Sequence, residues 1–179
     1  MLVEELMNKP HLYLDMDGVQ ADFFTAWANI FGHKRYKDIG SKEQREQSID
    51  ELNLKGPEFI QKFFETLAPL PGGTKLVSWL KQHNIPFTVL SAPLRNNHAA
   101  SIAGKKIWLD QHNPGTSDSA IFTGSKERYA NRGGTPALLI DDHKKYIERW
   151  LQAGGQAILH RDSNVDAVIE QLSKIYNIK

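Results

Sequence analysis

The chain has 179 residues, enough for one well-buried core, and its 22 lysines and arginines nearly balance 21 aspartates and glutamates, leaving a formal charge of +1. That balance argues against a general nucleic-acid binder, so phosphate recognition, if present, should be local. The absence of cysteine excludes disulfides, thiolate metal sites and cysteine nucleophiles, and no apolar run approaches a membrane span. Residues 1–10 (MLVEELMNKP) are too short and too acidic for a signal peptide, so a cytoplasmic protein is expected.

Leu12, Tyr13 and Leu14 read as a buried strand that delivers Asp15 and Asp17 at its C-terminal end, with Gly18 allowing a sharp turn. Residues 21–31 (ADFFTAWANIF) place Phe23, Phe24, Trp27 and Phe31 at near-helical spacing. A polar stretch follows, with a basic loop (GHKRYKDIG) and a helix (SKEQREQSIDEL) capped by Ser41. Residues 57–67 (PEFIQKFFETL) form another expected helix, opened by proline and ended by LAPLPGG. From Thr74 onward helices and strands alternate. Helices are expected at 74–83, 97–112, 144–153 and 165–176, with strands at 86–90, 119–123, 136–140 and 156–160. The Gly133-Gly134 loop reads as an ordinary connection. Such alternation implies right-handed crossovers and a Rossmann-like, three-layer α/β core around a parallel sheet, with roughly 45 residues of helical cap inserted after the first strand. The expected division is a core of residues 1–20 and 68–179 and a cap of residues 21–67.

Four of these strands end in residues suited to phosphate chemistry: Asp15 and Asp17, Ser91, Lys126, and the pair Asp141 and Asp142. In open α/β sheets ligands bind at that end of the strands. Two carboxylates two residues apart repel each other and favour a divalent cation, and oxygen-only ligands suit Mg²⁺ better than zinc. Any one of these residues could be a turn former, a cap or a solvated charge. Their joint appearance at the same end of successive strands is much harder to assign to chance. The most specific parts are LYLDMD and ALLIDD.

In these motifs the sequence resembles the haloacid dehalogenase (HAD) superfamily of phosphohydrolases, and within it the 5'(3')-deoxyribonucleotidase group. The narrower likeness rests on DMDGVQADF from Asp15, LAPLPGG from Leu67, SAP from Ser91, Lys105 and Trp108 in KKIW, FTGSK ending at Lys126, and LLIDD ending at Asp142. Gln20 stands where the group carries an aliphatic residue, and His143 where it carries arginine.

The resemblance implies a Mg²⁺-dependent phosphomonoester hydrolase in which Asp15 attacks phosphorus and Asp17 acts as acid and base. It implies Mg²⁺ held by Asp15, the backbone carbonyl of Asp17 and a paired acid, Asp142 in preference to Asp141. Ser91, the backbone at Ala92 and Lys126 would hold the phosphate oxygens. Phe23 would stack on a nucleobase or sugar, with Phe63 or Phe64 as further walls, although these rings could equally form the packing between cap and core. Lys105 would lie near the phosphate, or with Lys106 on a solvated face, and Arg95 could meet a phosphate or sugar. The substrate implied is a (deoxy)nucleoside monophosphate. Other small phosphate esters, a nucleic-acid 3'-phosphate end, and a non-catalytic phosphate-binding role remain alternatives. The aromatic helices of the cap could also supply a homodimer surface, and nothing in the sequence suggests a membrane partner.

Overall fold

The computed structural model describes residues 9–178, so the reading of the first ten residues falls largely outside the described part. Five strands form one parallel sheet: β1 (Leu12–Leu14), β2 (Phe87–Ser91), β3 (Ile121–Phe122), β6 (Leu138–Asp141) and β7 (Gln156–Leu159). Their order is β3-β2-β1-β6-β7. The chain therefore lays strands outward on one side of β1 and then crosses to the other side. The reversal falls between β1 and β6, where the crossover loops diverge and leave a crevice at the C-terminal strand ends.

Side chains on the central strands alternate between two apolar layers. Leu12, Leu14, Leu138 and Ile140 pack with Leu76, Val77 and Leu80 of α4 (Pro71–Gln82) and with Val168 and Leu172 of α7 (Val165–Tyr176). Tyr13, Leu90 and Leu139 face the opposite way, onto Trp150 of α6 (Lys144–Gln152). A sheet buried on both faces gives near-continuous apolar strands, which is why LYL and ALLI were legible as strands.

Between β1 and α4 lie α1 (Phe23–Ile30), a short 3₁₀ turn (Tyr36–Ile39), α2 (Lys42–Asn53) and α3 (Pro57–Glu65). Ser41 caps α2 in a full capping box with Gln44, and Pro57 occupies the first turn of α3, as their local chemistry requires. Phe23, Trp27, Leu52, Phe63 and Phe64 share a buried cluster with Val89 of β2 and Trp108 of α5 (His98–His112). The helices after β1 are thus packed directly onto the α/β layers.

Two connections differ from expectation. The PGG segment does not only end α3; it opens α4, three residues earlier than Thr74. Asp162 accepts the otherwise orphaned Gly72 N–H at 2.6 Å, and a Cβ on Gly73 would sit 2.0 Å from the Val19 carbonyl, so only glycine lets this helix end approach so closely. Gly133-Gly134, with φ of 59° and 91°, is the tight turn of a small hairpin joining β4 (Asn131–Arg132) and β5 (Thr135–Pro136). Among the described residues no helix is long and apolar enough to cross a membrane.

Candidate active site

The site is built where β1 and β6 stop pairing. Asp15 still donates its N–H to Ile140 at 3.0 Å, so its place is fixed by the sheet. The chain then coils, with the N–H groups of Val19, Gln20 and Ala21 all donating to the Met16 carbonyl. Gly18 sits at φ +77°, and a Cβ there would lie 2.5 Å from a carboxylate oxygen of Asp142, so glycine both makes the turn and admits that acid. Asp15, Asp141 and Asp142 each offer an oxygen to a cluster within 4.8 Å.

Lys126, buried in a 3₁₀ turn (Lys126–Tyr129), binds the edge of this cluster. Its ammonium lies 2.7 Å from Asp15 Oδ1 and 2.7 Å from Asp141 Oδ2, and 4.5 Å over the ring of Tyr146. Burial works against the Lys126 charge, but Asp15 and Asp141 outweigh it and hold the group above the ordinary lysine range. The other oxygen of Asp141 accepts the His143 N–H at 2.8 Å, so both are engaged. Burial first, and then the Asp15 charge, push Asp141 and Asp142 well above the usual carboxylate range.

Asp17 belongs to a different environment. Lys105 of α5 has no exposed surface, and it donates to Asp17 Oδ2 at 2.6 Å, Ser91 Oγ at 2.9 Å and the Ala92 carbonyl at 2.7 Å. An ammonium has three protons, so Lys105 is fully used. Its neighbour Lys106 is the exposed member of the pair. Burial raises the pKa of Asp17, Lys105 opposes the rise, and the Asp15 charge adds to it. Asp17 Oδ1 has no hydrogen-bond partner among the described residues.

A cleft of about 620 Å³ opens beside Gly18 and Asp142 and is walled by Phe24, Trp27 and Tyr36. Phe23 lies mostly out of reach: it is 8 % exposed, its ring stacked on Phe64 at 5.9 Å and edge-on to Phe63 at 5.8 Å. The ring spacing of α1 did not distinguish Phe23 from Phe24. Arg95 is exposed and lines a separate cavity of about 520 Å³ against Asp50 and Asn53 of α2. The structure therefore brings together Asp15, Asp17, Ser91, Ala92, Lys105, Lys126, Asp141 and Asp142, and sets Arg95 in the neighbouring cavity. Sequence reading did not find the cleft wall of Trp27 and Tyr36. Nor did it find Arg161, which donates to the Asp142 and His160 carbonyls. An arginine following a strand gives no local signal of such a bond.

Two solved structures share the fold. One is a HAD hydrolase of family IA, variant 3, from Entamoeba histolytica, at 15 % identity and a TM-score of 0.51, covering 86 % of this chain and 84 % of that one. The other is a HAD-family hydrolase from Deinococcus radiodurans, determined with bound phosphate and sodium, at 12 % identity and a TM-score of 0.51, covering 94 % and 96 %. A search of curated protein sequences finds no match. The family profile described as "5' nucleotidase, deoxy (Pyrimidine), cytosolic type C protein" matches residues 9–173. That span runs from before β1 into α7 and takes in both lysines and all four acids; the chain belongs to this nucleotidase family and is a HAD-fold phosphohydrolase.

Proposed function

We propose that this phosphohydrolase removes phosphate from a nucleoside monophosphate, with deoxynucleotides favoured, through an aspartyl-phosphate formed on Asp15. The carrying observation is that two acids from one loop sit in unlike surroundings. Asp15 is pinned between the sheet and Lys126, whereas Asp17 is a partly exposed carboxyl, beside Lys105, whose pKa is raised by desolvation. Two carboxylates held in such unlike surroundings suit separate roles.

In this reading the Asp15 carboxylate attacks phosphorus and the bond from phosphorus to the leaving oxygen breaks, with the proton supplied by Asp17. Asp17 then takes a proton from water, which attacks phosphorus, and the Asp15 carboxylate departs from inorganic phosphate. Ser91 accepts from Lys105, so its hydroxyl proton is free for a phosphate oxygen. Lys126 spends two of its protons on Asp15 and Asp141, leaving one for phosphate. Lys105 has none left and is a positioning residue.

The donor set fits a divalent cation. Four carboxylates (Asp15, Asp17, Asp141, Asp142) face two ammonium groups (Lys105, Lys126), a formal excess of two negative charges, and all the donors are oxygens. Asp15 and Asp142 would hold Mg²⁺, since both oxygens of Asp141 are committed to Lys126 and His143. When bound, the ion neutralises the charge between nucleophile and substrate phosphate. Residues 21–67 act as the cap, and the cleft rings Phe24, Trp27 and Tyr36 face the nucleoside.

The test is phosphate release with Mg²⁺ from 5'- and 3'-(deoxy)nucleoside monophosphates, sugar phosphates and 3'-phosphorylated oligonucleotides, beside Asp15→Asn and an EDTA control. Deoxynucleotide turnover abolished in both controls is expected, with Asp15→Asn slower by at least about 10⁴-fold. A variant that keeps a substantial rate would remove Asp15 as the nucleophile.

A further inference from the structure

Gln20 is 2 % exposed and Asn113 is 1 % exposed, and they form a buried chain of side-chain amides behind the active-site loop. Asn113 Nδ2 donates to Gln20 Oε1 at 2.9 Å, and Gln20 Nε2 donates to the backbone carbonyl of Asp15 at 2.9 Å. The loop's own amides do not serve that carbonyl, because those of residues 19, 20 and 21 all converge on Met16. Asn113 caps the C-terminus of α5 through its own N–H to Leu109 at 2.8 Å, so its side chain is carried by a fixed element. Gln20 is held in place from behind as well: a Cβ on Gly73 of α4 would lie 2.8 Å from the Gln20 Cα.

From these contacts we infer that Gln20 is a positioning residue for Asp15, acting through the peptide plane that follows it. The inference rests on the reading of Asp15 as nucleophile. Helix α5 then holds both acids of the loop by different handles, Asp17 at its carboxylate through Lys105 and Asp15 at its carbonyl through Asn113 and Gln20. Fixing the carbonyl fixes the direction in which the Asp15 side chain leaves the strand. In-line attack depends on that direction, and a misplacement of about 1 Å costs about 10²-fold in rate.

A purely structural role for the pair makes a different forecast, and a double variant separates the two. Gln20→Leu strands the Asn113 amide and should lower stability. Gln20→Leu combined with Asn113→Leu removes the stranded amide, leaving only the Asp15 carbonyl without its donor, and should recover part of that stability. Positioning predicts that kcat falls about tenfold to a hundredfold in Gln20→Leu with KM nearly unchanged, and stays low in the double variant although part of the stability returns. It also predicts weaker Mg²⁺ binding by calorimetry in both variants, because Asp15 drifts relative to Asp142. Recovery of kcat together with stability overturns the inference, as does Gln20→Leu with unaltered kcat and Mg²⁺ affinity. Should the wild type hydrolyse no phosphate ester, or Asp15→Asn remain active, the catalytic reading fails separately. The Mg²⁺ titrations of the two variants then decide this inference alone, and unchanged affinity rejects it.

Discussion

The two buried lysines divide the site into halves that obey different electrostatics. Around Lys126, one ammonium pairs with Asp15 and Asp141 while Asp142 joins them in a cluster of carboxylate oxygens within 4.8 Å, so negative charge is in excess there. Around Lys105, one carboxylate, one hydroxyl and one carbonyl use up one ammonium completely. The first half is charged in excess and can relieve itself by taking a cation or a proton. The second is balanced and can only hold its members still or pass a proton through Asp17. A lysine beside an aspartate therefore means different things in the two halves, and counting partners tells them apart.

Removing the balanced ammonium should have the largest effect on stability. Lys105→Met leaves Asp17 without its partner and is expected to cost about 3 kcal/mol in chemical denaturation, at the low end for a broken buried pair because a fifth of the Asp17 side chain is exposed. Because Lys105 holds the Asp17 pKa down, its loss should also move the pH optimum of turnover upward. An unmoved optimum would remove Asp17 as the proton carrier.

In the other half, Asp142→Asn should weaken Mg²⁺ binding by at least about tenfold in calorimetry while leaving the fold intact. Equal affinity in wild type and variant would show that the clustered acids do not hold the ion. The same half should give the metal-free protein an unusual pH response. The folded state keeps protons on Asp141 and Asp142 that the unfolded chain releases near pH 4, so stability should fall as pH rises from there towards neutrality. With one proton retained on each acid the slope should approach about 3 kcal/mol per pH unit, and saturating Mg²⁺ should flatten it. A slope that persists with Mg²⁺ would place the titrating groups elsewhere. The smallest effect belongs to the cleft outside both halves: Phe24→Ala should raise KM a few-fold, about 1 kcal/mol, with kcat little changed. A fall in kcat instead would tie Phe24 to the reacting groups.

How far the sequence carried depends on the range of the interaction concerned. Ser41 and Pro57 mark helix starts by bonds and backbone preferences within four residues, and the structure has those helices where they were expected. The strands LYL and ALLI are apolar because both faces of the sheet are covered, and each carries its acids to the crevice. PGG reads locally as a break, yet it starts α4, because Asp162 and the Val19 backbone, distant in sequence, complete that helix end.

By itself, then, the sequence determined the alternating α/β core and the strand ends on which Asp15, Asp17, Ser91, Lys126 and the paired acids stand, since periodicity and turn chemistry are local properties. Only the tertiary structure decided that Lys105 and not Lys106 is buried against Asp17, that Asp141 is occupied while Asp142 faces Gly18, and that Phe24 lines the cleft while Phe23 packs on Phe64. Adjacent residues of one type are equivalent to any local rule, and they differ only in what a remote segment of chain brings against them.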